Sequence, residues 1–328
     1  MMRGWPIACA PLLWCATAGA AELPQGVGWH VLPDTEIRPH CPDEQQFPGL
    51  QANEGCDAVT QDWAGAAFDT LQNRLLVRGG GHAGYFGNEV YALSLETLTV
   101  ERLYDPSLNP PTGCVNDGKM PDGKPQASHT YNHLAYVDHL DAMFELGGAG
   151  VPCGYFGDAT WVLDLKTLEW KDMQPSGAGP KPNFGNSVVY EPSSKRVFAR
   201  DDFDLHVYDT TTNTWSIFSG ESEGLSDYKT AIIDPVRKRY MLYVQGDPTL
   251  YGYDIAGGAG ASMQTLATSG CNFVNDAFAG WQYDPVQDRA VAWSGGDSVE
   301  LLDLDTGECS TVTHPGGPGP ALDNGTYG

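Results

Sequence analysis

The sequence predicts an all-β chain folded as a β-propeller, and three observations carry that prediction. Apolar and polar residues alternate in short runs of period two, and no long window shows the 3.6-residue period of a helix, which excludes an α/β barrel. A cassette of four short strands recurs five times, its first strand ending on an acid at Asp69, Asp138, Glu191, Asp234 and Asp284. These acids stand 69, 53, 43 and 50 positions apart, near the period of about 50 residues typical of four-stranded blades. A β-sandwich would also alternate, but it would not repeat one cassette down the chain.

Residues 1–20 read as a secretory signal peptide: Arg3, an apolar run from Trp5 to about Ala18, then the small-residue cleavage pattern Ala18-Gly19-Ala20. The run is shorter than the roughly 20 residues that cross a bilayer. Residues 21–328 read as one propeller domain. Near its start, residues 28–35 read as a strand and turn. Trp29 and Leu32 there match the spacing of the last strands of later repeats at Trp170 and Trp215, so the segment looks like a lone outer strand.

The first repeat pairs residues 66–69 with 73–77, then crosses the Gly-rich connection 78–88 to strands at 89–93 and 100–103. Later second strands open on basic turns at Lys195-Arg196, Lys238-Arg239 and Arg289. Third strands alternate and end on Asp164, Asp209, Asp254 and Asp303, and Thr-rich turns follow most of them. Residues 104–127 interrupt the pattern with a Pro-, Gly- and Asn-rich insertion, expected to be an ordered loop over one face. Residues 323–328 fall where another first strand would begin. The C-terminal blade therefore reads as truncated, and the intact propeller as six-bladed, or seven-bladed if the N-terminal region hides more.

The formal charge of −24 argues against nucleic acid and anionic membrane surfaces as partners. Beyond the signal, six cysteines remain: Cys41, Cys56, Cys114, Cys153, Cys271 and Cys309. An even count in an exported chain suggests disulfides, and six allow about fifteen pairings; proximity favours Cys41–Cys56, Cys114–Cys153 and Cys271–Cys309. A secreted or periplasmic location follows. No cofactor and no metal are expected. There is no CxxC, and Asp201-Asp202-x-Asp204 lacks the Gly and Glu of a calcium loop.

The cassettes resemble the kelch repeat family, whose fold is shared with the central domain of galactose oxidase. The glycine pairs closing second strands (Gly79-Gly80-Gly81, Gly147-Gly148, Gly295-Gly296) and the spaced aromatics Tyr91, Trp161, Tyr208 and Trp215 carry the resemblance over roughly residues 60–328. It is looser in the third and fourth repeats, where Arg200-Asp201-Asp202 and Gln245-Gly246-Asp247 replace the diglycine. The resemblance implies a kelch-like propeller. Such propellers serve as protein-binding scaffolds, as oxidases and, among bacterial relatives such as ulvan lyases, as polysaccharide-cleaving enzymes. A copper–radical oxidase is disfavoured, because six paired cysteines leave none for its cross-link.

Segments leading into the innermost strands shape one axial mouth, and here they are dense in His, Tyr, Asn and Lys: residues 126–133, 183–186, 227–229 and 275–276. Binding of an extracellular ligand at this mouth, a carbohydrate ahead of a protein, is the favoured function, with a polysaccharide lyase and a non-catalytic protein-binding scaffold as alternatives. A lyase needs a base for the proton α to a uronate carboxylate, a proton donor for the leaving oxygen and a cation for the carboxylate. His129, Tyr131 and Lys229 are candidates for those roles, and His82, placed by three glycines, joins them. Tyr85, Phe86, Asn88, His133, Asn186 and Tyr228 are the candidate ligand-binding residues.

Overall fold

The computed structural model describes residues 22–52, 54–61, 63–80, 84–108, 118–150, 155–222, 224–226, 228–275 and 279–319. Its described strands form five sheets, and these are the five cassettes of the sequence. The first holds β1 (Gly65–Asp69), β2 (Arg74–Arg78), β3 (Tyr91–Ser94) and β4 (Thr99–Arg102). The second holds β5 (Ser128–His129), β6 (Leu134–Val137), β7 (Ala142–Gly150), β8 (Tyr155–Asp164) and β9 (Glu169–Asp172). The third adds the short parallel β10 (Ser176–Gly177) to β11 (Ser187–Glu191), β12 (Arg196–Arg200), β13 (Asp204–Asp209) and β14 (Thr214–Gly220). The fourth comprises β15 (Lys229–Asp234), β16 (Arg239–Val244), β17 (Asp247–Asp254) and β18 (Gln264–Leu266). The fifth comprises β19 (Gly280–Asp284), β20 (Arg289–Trp293), β21 (Ser298–Asp303) and β22 (Cys309–Thr313).

One chemical device explains why the hairpins repeat. The Oδ1 atoms of Asp69, Asp164, Asp209, Asp234, Asp284 and Asp303 each accept the backbone N–H groups two and three residues on, and Glu191 does the same with its two carboxylate oxygens. The residue four positions after the acid then takes a positive φ: Asn73, Leu168, Lys195, Asn213, Lys238, Asp288 and Gly307. The carboxylate thus supplies the turn's hydrogen bonds locally, and the left-handed residue swings the chain into the next strand. Backbone N–H groups, of Thr167 first at Asp164 and of Thr306 first at Asp303, hold these two acids below the ordinary carboxylate range. Part of the acidic composition is therefore turn chemistry.

Apolar layers fill the spaces between successive sheets. Leu76 and Ala92 meet Met143 and Leu163; Phe144 and Leu146 meet Val197 and Trp215; Phe198 and Leu205 meet Tyr240 and Leu242; Met241 and Tyr243 meet Trp281 and Ala290. The innermost strands β1, β6, β11, β15 and β19 follow one another around the axis.

The expected six or seven blades are corrected to five. The number had been inferred from pieces at the two ends, and these do not form blades among the described residues. Residues 22–37 form no strand: Trp29 instead lies against Trp293 with ring centroids 5.6 Å apart, and its Nε1 donates to the Asp297 carbonyl. Phe47, Leu50 and Val59 cover the outer face of the first sheet at Tyr91 and Val100. Cys41–Cys56 closes that segment, and Cys271–Cys309 ties the approach to the fifth sheet to its last strand. Both bridges match the expected pairing, and such bonds persist in an oxidising compartment. The signal peptide, the Cys114–Cys153 pair, residues 109–117 of the insertion and residues 320–328 lie outside the described residues. No helix among the described residues is long and apolar enough to cross a membrane.

Candidate functional site

The leading ends of the inner strands are stitched together at one end of the axis. Tyr131 N–H donates to the Trp63 carbonyl (2.7 Å), Val188 N–H to the Asn132 carbonyl (2.8 Å) and Ala231 N–H to Asn132 Oδ1 (3.2 Å). Tyr228 and Lys229 N–H donate to the carbonyls of Phe184 (2.9 Å) and Gly185 (2.8 Å). Gly185 is required there. Its φ is +72°, and a Cβ would stand 2.7 Å from Tyr228 Cα, so a side chain would separate the two segments. Tyr131 and Tyr228 also hold positive φ, at 45° and 60°, a strained backbone that the stitching maintains.

This stitching gathers several of the residues singled out in the sequence. The His129 ring lies 5.0 Å from Trp63 and 6.0 Å from Tyr131; Tyr131 lies 5.4 Å from His133, 6.5 Å from Phe184 and 6.0 Å from Tyr228. His129, Tyr131, His133, Asn186 and Lys229 are all buried. Lys229 Nζ donates to Asp202 Oδ1 at 2.9 Å, and the Asn183 amide donates to the same oxygen. Asn186 Nδ2 donates to the Lys181 carbonyl (2.9 Å). The Oδ1 atoms of Asn183 and Asn186 and the Nε1 of Trp63 are buried without a hydrogen-bond partner.

The Gly-rich connection is different from its expected role. His82 lies outside the described residues. Tyr85, expected to be free to stack on a ligand, is fully buried, and its hydroxyl and that of Tyr91 both donate to Glu89 Oε1 (2.8 and 2.7 Å). Gly87 makes room for that ring, since a Cβ would lie 2.2 Å from Tyr85 Cε1. Asn88 is also committed: Nδ2 donates to Ser107 Oγ and the Pro125 carbonyl, and Oδ1 accepts from Ser107 N–H. Phe86 is half-buried, with its N–H on the Leu50 carbonyl. Trp63, Phe184 and Asp202 were not put forward from the sequence. Phe184 sits in one of the segments quoted above.

Burial pushes His133 from its ordinary 6.5 down to about 3; the Leu146 backbone opposes this and the Lys229 charge adds to it. The ring is thus neutral at physiological pH. The unfolded chain takes up the proton as pH falls through 6.5 and the folded chain resists until about 3, so the stability this group gives at higher pH is lost as pH falls. The expected slope is about 1.4 kcal/mol per pH unit at full effect. Urea titrations of wild type and His133→Asn should diverge in pH dependence between the two values. Parallel profiles would disprove it.

Asp201, Asp204 and His206 place ligand-type atoms within 4.8 Å of one another. Asp201, however, already accepts four bonds: Phe203 and Asp204 N–H on Oδ1, and Lys181 N–H and His206 Nε2 on Oδ2. Against the burial that would raise it, His206 and these N–H groups hold Asp201 well below the ordinary carboxylate range. The cluster staples a turn, and its central carboxylate has no capacity left for a cation.

The fold is therefore that of a five-bladed β-propeller, an architecture compatible with ligand binding that does not by itself choose a ligand. No family model and no curated protein matches the chain. Among solved structures, a chain in the crystal structure of a nidogen/laminin complex matches with TM-score 0.49 and 12% identity, covering 77% of this chain and 80% of that one.

Proposed function

We propose that this chain is an exported propeller that binds an extracellular carbohydrate, without cleaving it, at the leading-strand end of its axis. One observation carries the reading. The rings of Trp63, His129, Tyr131, Phe184 and Tyr228 form one run of contacts, and the Nε1 of Trp63 and the Oδ1 atoms of Asn183 and Asn186, on the same stitched segments, are buried without partners. Buried polar atoms left unpaired are rare and call for an occupant, water or ligand. A sugar supplies both kinds of contact, apolar C–H faces for rings and hydroxyls that donate and accept. A neutral glycan also avoids the repulsion that a chain of charge −24 exerts on polyanions.

The β-elimination reading is weaker. It asks Lys229 to neutralise a uronate carboxylate, but Lys229 is buried and already donates to Asp202. A scaffold that binds protein through its outer loops is the other alternative.

A neutral-glycan array followed by calorimetry tests the proposal. Tyr228→Ala is expected to weaken binding of a positive glycan about tenfold, the size of a stacking contact plus a lost polar neighbour. His82→Ala, within the Gly-rich connection, is expected to weaken it less. Absence of any glycan binding, or an unchanged affinity in a folded Tyr228→Ala, would sink the reading. Unsaturated product absorbing in the ultraviolet from a uronate polysaccharide would establish the lyase instead.

A further inference from the structure

The axis also holds a cavity of about 540 Å³, lined from the inner strands by Ala66, Phe68, Leu134, Tyr136, Val188, Tyr190, Gln282 and Tyr283. Its floor lies near Asn132 and Ala231, beneath the ring cluster just described. Its rim is at the opposite, trailing ends of the strands, where Thr70, Asp138 and Pro192 stand. This volume lies within the range of about 300–1,000 Å³ common to small-molecule sites.

The chemistry of the lining is one-sided. Among the described residues that line the cavity there is no Lys or Arg. Three tyrosines face it, and each hydroxyl donates its proton to a carboxylate: Tyr136 to Asp141 (3.1 Å), Tyr190 to Asp138 (2.7 Å) and Tyr283 to Asp288 (3.0 Å). A phenol that donates to an anion carries more electron density on its ring, and a tyrosine ring face attracts cations. Asp288 is engaged by Arg237, and Asp141 has Lys166 at 3.6 Å. Asp138, on the rim, accepts the Tyr190 hydroxyl and the His139 backbone N–H on Oδ1, and among the described residues no Lys or Arg pairs with it; the His139 ring lies on one side of Tyr190, its centroid 6.0 Å away.

We propose that this cavity binds a small organic cation, its ammonium head seated at the tyrosine-lined, Asp138-bearing rim and its aliphatic or aromatic body filling the apolar interior. The net charge of −24 favours the approach of such a ligand and disfavours anions of the same shape. The site is separate from the proposed glycan mouth and does not depend on it.

Calorimetry of the intact chain with benzyltrimethylammonium, benzyl alcohol and benzoate tests the proposal. The cation is expected to bind, benzyl alcohol at least about tenfold more weakly, and benzoate not at all. Tyr190→Leu should weaken the cation about tenfold, Tyr190→Phe by a factor of about two to three, and Asp138→Asn by an intermediate amount. Asp138 is half exposed, so its variant carries the test if Tyr190→Leu fails to fold. Tyr228→Ala should leave cation binding unchanged, which separates this site from the glycan mouth. Equal affinity for the neutral or anionic probe, no measurable cation binding, or wild-type affinity in folded Asp138→Asn would overturn it.

Discussion

Arg78→Met is expected to destabilise the fold by about 3–5 kcal/mol, the usual result of removing one partner from a buried ion pair. Arg78 is fully buried at the end of β2. Its Nη1 reaches both oxygens of Glu145 on β7 (2.6 and 2.7 Å), and its Nη2 donates to the Gln126 carbonyl (2.6 Å). The guanidinium also lies 5.4 Å over the Trp170 ring. One side chain thus joins the first two blades to the described end of the insertion loop. Methionine fills the stem's volume but takes the guanidinium from the Gln126 carbonyl and leaves the buried Glu145 carboxylate with the Ser128 hydroxyl at 3.4 Å in place of a cation. Burial pushes Glu145 up to about 7 even with Arg78 pulling the other way. A raised acid is most stabilising when protonated and loses that contribution as pH rises, and without Arg78 the rise is larger. The deficit of Arg78→Met should therefore widen as pH passes above about 7. Denaturant midpoints on both sides of that value check it, and Arg78→Met/Glu145→Leu should recover part of the loss. A single variant within about 1 kcal/mol of wild type would show that the pair contributes little.

Trp281→Ala is expected to cost a similar amount, about 3–5 kcal/mol, as a large cavity in a packed core. Trp281 is among the largest fully buried side chains, with ring centroids 5.8 Å from Tyr243 and 5.5 Å from Phe273. Tyr243 belongs to the fourth blade and Trp281 to the fifth, so the ring is part of the apolar layer that joins them. The loss should be local as well as global. Amide exchange is expected to accelerate first in β19–β22, with Cys271–Cys309 still holding the segment to the body. Uniform acceleration across all five sheets would contradict this, and Trp281→Phe should lie between the two.

The blades were legible in the sequence because each hairpin is set locally. An acid such as Asp234 and the residue four positions on, Lys238, form the turn from their own short stretch of chain. The blade count was not legible in the same way. Trp29 and Leu32 mimic a last strand, but whether Trp29 pairs into a sheet or lies on Trp293 depends on a contact with a residue far along the chain. The convergence of His129, Tyr131, His133 and Lys229 could be anticipated because propeller topology brings inner-strand leading ends together. Asp202 could not, since its pairing with Lys229 crosses from one blade to the next. Tyr85 misled for a further reason. Gly87, one of the glycines of the connection that holds it, is the small residue that lets the Tyr85 ring pack inward.

The first described residues touch both the fifth blade, through Trp29, and the first, through Phe47, Leu50 and the Cys41–Cys56 bridge. Under a pulling force applied ahead of Trp29, load would reach the fifth blade first, through one ring contact and one hydrogen bond. Those give way at low force. Tension would next arrive at a segment closed by a covalent bond and anchored on apolar side chains, where peeling stops. The chain thus carries a weak latch in series with a strong one, and light tugging frees a short tether without baring the first blade.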